Sequence, residues 1–223
     1  MNNYFKIRKK IIEKFKTLPL LKNLYYYFFG KNILKDPEFL AQERNYIKEK
    51  EKKITRTQII NFIISRKNID TYYLEIGVRN RASNFNLINA TYKYSVDPAI
   101  NLDEKNHFQL TSDSFFTNLK GGKILNPKIK FDVIFIDGLH LAEQVERDIE
   151  NSLEFIKNNG FILLHDCNPP SEWHARENYS FNYSPALSSW NGTTWKAFFK
   201  KRLENNIYSC CIDTDWGVGV ISK

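Results

Sequence analysis

Carboxylates and imidazoles recur in this chain at the ends of short apolar runs. TYYLEIG closes on Glu75 and Gly77, and KYSVDP closes on Asp97. FDVIFIDGLH delivers Asp137 and His140, and FILLHD delivers His165 and Asp166. Ser112, Asp113 and Ser114 follow a weaker run at 108–111. A carboxylate can hold vicinal hydroxyls or a cation, and an imidazole titrating near neutrality can take a proton from an attacking hydroxyl. Any one of these acids would make an ordinary capped turn. Their recurrence run after run points to one shared site.

Such groups converge only if the apolar runs lie side by side. TQIINFIISRK reads as an amphipathic helix, SNFNLINAT (83–91) as a second, residues 140–160 as a third stopped by Gly160, and 195–206 as a fourth. Between them lie strands over 71–77, 93–98, 108–111, 131–138 and 161–166, with IYSCCID and WGVGVISK as a closing hairpin. Strands alternating with helices of these lengths predict an α/β fold, a doubly wound, mostly parallel, seven-stranded Rossmann-like sheet with an antiparallel C-terminal hairpin. Ligands of such sheets sit beyond the carboxyl ends of the strands, where these polar residues stand. Period-two alternation along FILLHD turns His165 and Asp166 to opposite faces, so the pair is not expected to share the pocket.

The chain has 223 residues and a net charge of +8, concentrated at one end. Residues 1–56 hold 15 Lys and Arg against 6 Asp and Glu, whereas 57–223 hold 18 against 19. The reading is therefore a basic helical N-terminal extension (1–56) on a nearly neutral body (57–223). Helices are expected over 4–29, interrupted at Pro19 and closed at Gly30, and over 37–53. The extension is read as a cap on the body or on a second copy in a homo-oligomer, with contact to a membrane surface or an anionic substrate as the other options. A neutral body argues against nucleic acid as a partner. Three cysteines with no metal or disulfide spacing, no apolar run long enough to span a bilayer and no signal-type h-region give an expected cytoplasmic location.

Asp97 stands 20 residues beyond Gly77, the spacing at which an acid receives ribose hydroxyls. The segment after Gly77 reads VRNRAS, without the further glycines a pyrophosphate requires. A nucleoside without phosphates, S-adenosylmethionine, suits this turn better than a nicotinamide dinucleotide. A nicotinamide-dependent oxidoreductase and a non-catalytic S-adenosylmethionine-binding module remain as alternatives.

Residues 72–222 resemble the class I S-adenosylmethionine-dependent methyltransferases, in particular a bacterial group acting on small molecules and sugars. The resemblance lies in Leu74–Val78 with Asn80 and Ser83, Ser95–Pro98, Ser112–Phe116, Phe135–His140 with Asp148, Gly160 with His165-Asp166 and Pro169, Trp190 with Trp195-Lys196, and Gly217–Ile221. Arg81 stands where that family usually has a small residue. The resemblance implies that Glu75, Gly77, Asn80, Ser83, Asp97, Asp113, Ser114 and Asp137 hold S-adenosylmethionine. A strand-end pairing of Glu75 with an arginine, a turn at Asp97 before Pro98, and a helix cap at Asp113 are the plainer readings. It further implies transfer to an oxygen of a small acceptor, a sugar free or nucleotide-linked, for surface glycan or capsule biosynthesis. His140 is preferred as the base, then His165, with Asp137 or Asp166 as fallback. A metal-free site is favoured; were Mg²⁺ present, Asp137, Asp166 and Asn168 would be its ligands. Trp173, His174, Tyr179, Tyr183 and Trp190, in the aromatic segment 168–195, are expected to line the acceptor side.

Overall fold

The computed structural model of the chain describes residues 19–67, 69–100, 104–179, 184, 186 and 188–223. Tyr183 and the first part of the helix expected over 4–29 lie outside them. Two compact units divide the chain, Met1–Asn45 and Tyr46–Lys223.

In the first unit, helix α1 (Pro19–Ile33) continues through Gly30, where a stop was expected. Asp36 caps the next helix: its Oδ1 accepts from the backbone N–H groups of Glu38 and Phe39, and Pro37 supplies the fixed φ of a first helical residue. That helix, α2 (Pro37–Glu51), ends two residues short of the expected 53, and its last residues, from Tyr46 onward, belong to the second unit. Residues 46–56, assigned from charge to the extension, thus lie in the same unit as the strand ends.

The second unit is a seven-stranded sheet of order β3-β2-β1-β4-β5-β7-β6. Its strands are β1 (Tyr72–Ile76), β2 (Tyr92–Val96), β3 (His107–Phe108), β4 (Phe131–Ile136), β5 (Ile156–Leu164), β6 (Tyr208–Ile212) and β7 (Val218–Ser222). The first five pair in parallel, and β7 joins β5 and β6 antiparallel. Alternation along the central strands separates two cores. Leu74, Ile76, Ile134, Ile136 and Leu164 face Phe115, Phe116 and Ile149 of helices α4 (Ser112–Lys120) and α5 (Ala142–Phe155), with Phe198 of α6 (Thr194–Arg202). Tyr73, Val133, Phe135 and Leu163 face Ile59, Ile60 and Ile64 of α3 (Arg56–Ser65). Burial on both faces explains why β4 reads as an unbroken apolar run.

Two elements differ from the sequence reading. The expected helix over 83–91 is a pair of 3₁₀ turns, Arg81–Ser83 and Phe85–Leu87, because Asn80 turns its side chain onto the Ala82 N–H and closes the backbone locally. The helix expected to reach Gly160 ends at Phe155, and β5 begins at Ile156. Phe131 pairs with Ile156 but Val133 with Phe161, so extra residues bulge from β5. Gly160 lies within that bulge, where a Cβ would stand 3.0 Å from the Asp132 carbonyl oxygen.

Candidate active site

β1 and β2 are parallel neighbours and end side by side. Gly77 has φ +83°, and a Cβ on it would lie 2.3 Å from the carbonyl oxygen of Asp137, so only glycine lets the first loop pass β4. Asp97 ends β2 almost wholly buried. Its Oδ2 accepts from the N–H groups of Val78 (2.9 Å) and Arg79 (3.0 Å), and its Oδ1 accepts from Ala99 N–H (2.8 Å). A carboxylate offers about four acceptor positions, which leaves one for a ligand hydroxyl. Glu75 is also buried, and its Oε2 accepts from the Tyr73 hydroxyl (2.6 Å) and from Asn84 Nδ2 (3.0 Å). The Thr57 hydroxyl donates to Asn84 Oδ1 (2.7 Å) and fixes that amide. Burial pushes the Glu75 carboxyl up to about 7, against the hydrogen bond from Tyr73.

The remaining expected cofactor residues are used locally. Asn80 and Ser83 are exposed and build the first 3₁₀ turn, with Ser83 Oγ donating to Asn80 O (2.6 Å). Thr111, rather than Asp113, caps α4 by accepting from Ser114 N–H. Asp113 accepts from Gln144 Nε2 (3.2 Å) and Arg147 Nε (3.3 Å) of α5.

At the ends of β4 and β5, Asp137, His140, His165 and Asp166 meet. His140 Nδ1 lies 2.9 Å from Asp166 Oδ2, and its Nε2 lies 3.4 Å from Asp137 Oδ1. His165 Nδ1 lies 3.3 Å from Asp137 Oδ1 and 3.2 Å from Asp166 Oδ2. The expectation that His165 and Asp166 diverge fails because β5 ends at Leu164 and Asp166 takes φ +62°, which breaks the alternation. Burial opposes charge on His140, but hydrogen bonds to Asp137 and Asp166 outweigh it and raise its pKa to about 10. Burial alone would also raise Asp137, yet His165, His140 and Arg56 hold its carboxyl well below the usual range.

Four further side chains complete this cluster without having been singled out from sequence. Arg56 Nη1 donates to Asp137 Oδ2 (3.2 Å), and Asp215 Oδ1 lies 3.3 Å from His165 Nε2. Asn191 Nδ2 donates to Asp166 Oδ1, and Asn84 supports Glu75 as described above. Arg56 is hidden in a lysine-rich stretch that reads as a solvated helix face, and Asp215 and Asn191 sit in turns whose composition is ordinary.

On the expected acceptor side, the Trp190 ring stacks on His140 (5.1 Å between centroids, 12° between planes), and Tyr179 leans on Trp190 at 5.8 Å. Trp173 and Tyr179 are exposed. His174 departs from expectation. It is 0% exposed, lies between Tyr46 and Trp216, and pairs with Ser171, and burial lowers its pKa to about 4. It supports the wall and presents no face to an acceptor.

The oxygen-rich set Asp137, His140 and Asp166 offers one donor atom each within 4.8 Å, which a hard divalent cation could accept. Asn168, expected as the third ligand, is instead exposed and donates to Asp213 Oδ1 (2.9 Å). No α-helix follows β1, so no helix N-terminus is aimed there at a pyrophosphate.

Residues 67–167 match the protein family described as methyltransferase domain. These residues thus form a methyltransferase domain. Among solved structures, the methyltransferase resembles the O-methyltransferase from Bacillus cereus in complex with SAH (12% identity over 82% of this chain and 91% of that one, TM-score 0.50). It also resembles MycE from the mycinamycin biosynthetic pathway in complex with Mg, SAH and mycinamycin VI (13% identity, 82% and 54% coverage, TM-score 0.49). A third likeness is to the SAH-bound Podospora anserina methyltransferase PaMTH1 (15% identity, 82% and 87% coverage, TM-score 0.47). At these identities the likeness is one of fold. No curated protein matches the chain in sequence. Among the described residues, no helix is long and apolar enough to cross a membrane.

Proposed function

We propose that this methyltransferase acts on a hydroxyl oxygen of a small acceptor, a sugar free or nucleotide-linked of the kind used in surface glycans, with His140 receiving the proton. The observation that carries this reading is the His140 imidazole held between the carboxylates of Asp137 and Asp166 and laid flat on Trp190. The cofactor supplies a methyl group on a positively charged sulfur. The acceptor oxygen forms the new C–O bond as the S–C bond breaks, and its proton passes to an imidazole nitrogen of His140. Asp166 and Asp137 orient the ring and stabilise the imidazolium that results. Glu75, Gly77 and Asp97 hold the methionine and ribose ends. Exposed Tyr179 and Trp173, with Trp190, offer ring faces to the C–H side of a sugar.

A base with a pKa near 10 is well matched to an alcohol, but little of it is neutral at pH 7. Turnover therefore rises about tenfold per pH unit from neutrality towards the His140 pKa. The test is incubation of the chain with labelled cofactor and a panel of sugars and nucleotide-linked sugars, read as the mass gain of one methylene. Methyl transfer to nitrogen or carbon acceptors, with none to hydroxyls, would overturn the reading. No metal enters this step, so a chelator leaves turnover unchanged. Loss on chelation with recovery in Mg²⁺ would make Asp137, His140 and Asp166 ligands instead.

A further inference from the structure

Helix α1, in the first unit, reads PLLKNLYYYFFGKNI. Leu20, Leu24 and Phe28 recur every four residues and so form one row along it. Leu21, Tyr25 and Phe29 form the next row, with the Tyr25 and Phe29 rings stacked at 5.9 Å. Tyr27 flanks the first row, its ring edge-on to Phe28 at 5.6 Å. That row lies open: Leu20 is 78%, Phe28 60% and Tyr27 66% exposed, and no described side chain of α1 is buried. One exposed leucine needs no explanation, but a continuous row of leucine and aromatic side chains marks a contact surface.

Charge decides what covers it. Residues 1–35 hold nine Lys and Arg against one acid, Glu13, whereas residues 36–223 hold 24 against 24. The whole net charge of +8 therefore lies in this segment. Lys22, Lys31 and Lys35 are exposed on α1 and just beyond it, and no acid stands between Pro19 and Asp36. A second copy of the chain would bring the same positive segment to the contact, and the rest of it has no negative excess as an offset. Nucleic acid would answer the lysines but leave Leu20, Leu24 and Phe28 in water. A bilayer with anionic headgroups answers both needs. Leucines and rings enter its acyl boundary, lysine stems extend to the phosphates, and tyrosines favour the interfacial level. At 15 residues α1 is about 22 Å long, short of the ~30 Å hydrocarbon core, so it lies along the surface and does not cross it.

We propose that α1, with the basic residues around it, docks the chain on an anionic membrane surface, with Leu20, Leu24, Tyr27 and Phe28 entering the boundary between headgroups and acyl chains. This docking is independent of the acceptor chemistry proposed above.

The test is co-sedimentation of the full chain with vesicles of phosphatidylglycerol and phosphatidylcholine in equal parts, against phosphatidylcholine alone. The chain pellets with the anionic vesicles and loses about tenfold or more in affinity by about 1 M salt, where the screening length falls to about 3 Å. No binding, equal binding to neutral vesicles, or binding insensitive to salt overturns the proposal. A basic residue beside such a surface adds about fivefold, so Lys22→Gln, Lys31→Gln and Lys35→Gln together weaken binding roughly 10²-fold. Leu20→Ser, Leu24→Ser and Phe28→Ser together keep every charge and weaken it roughly 10²–10³-fold. Either triple variant binding as tightly as the native chain overturns the proposal. Hydrogen exchange needs no variant: on anionic vesicles the amides of 20–34 slow further while those of β1 and β4 keep their rates. Slowing confined to the second unit overturns the proposal. So does a lipid-free dimer that the leucine and phenylalanine substitutions split and that ignores vesicles, which would make a second copy the cover of this row.

Discussion

The two halves of the strand-end site hold their carboxylates by opposite means. At β1 and β2, neutral donors do the work: three backbone N–H groups on Asp97, and a phenol and an amide on Glu75. At β4 and β5, Asp137 and Asp166 are held by two imidazoles, with a guanidinium also on Asp137. Neutral donors leave the negative charge uncompensated and ready for a cationic ligand. Ionic partners compensate the charge and provide protons that can move. On the reading proposed above, one half binds and the other transfers a proton.

Substitutions that separate these halves give the sharpest tests. His140→Ala is expected to lower turnover by roughly 10²–10⁴ while leaving the affinity for S-adenosylmethionine unchanged in calorimetry. The pH dependence belongs to the same half: the climb in native turnover above neutrality flattens in His140→Gln, as a rate profile between pH 6 and about 10 will show. Asp97→Ala acts on the other half, costing about 10²-fold in cofactor affinity with the circular dichroism of the fold retained. An affinity unchanged by this substitution would falsify the division into halves.

Glu75→Gln is expected to act through stability. Burial raises the Glu75 carboxyl from 4.5 to about 7, so the folded state binds an extra proton between those values. Stability is therefore lost as pH rises through that window, and the full penalty applies above about 7. Glutamine removes it, so this variant gains up to ~3 kcal/mol over the native chain at pH 8 relative to pH 4. Urea titrations at the two values measure the difference. Trp190→Ala has the smallest effect, raising the acceptor KM a few-fold through loss of a stack of about 0.5–1.5 kcal/mol.

Much of the fold was legible because sheet periodicity and buried apolar runs are local signals. The parallel strands, the closing hairpin and the acids after each strand all follow from residues within a few positions. Asp137, His140, His165 and Asp166 were nameable for that reason. Arg56, Asp215 and Asn191 were not, because they pair across 81, 50 and 25 residues, and Asn84 was not, because nothing in the turn around it marks its amide as the partner of Glu75. The 3₁₀ turns at 81–87 show a second limit. SNFNLINAT has helical spacing, but asparagines that bond their own backbone compete with the helix. At His165-Asp166 the period-two rule failed because one left-handed residue redirected the chain.

Gly192 has φ +62°, and a Cβ there would stand 2.1 Å from the carbonyl oxygen of His140. With Thr193 N–H donating to that same carbonyl, and the N–H groups of Asn191 and Gly192 donating to His174 O, the aromatic segment is closed at its base by backbone bonds, to which Asn191 Nδ2 on Asp166 adds a side-chain one. What lies between those fasteners, Trp190 apart, can change in length and side chains while the imidazole beneath stays in register. The segment is thus an exchangeable cassette: swapping it between related chains should retune acceptor choice and leave the chemistry of transfer alone.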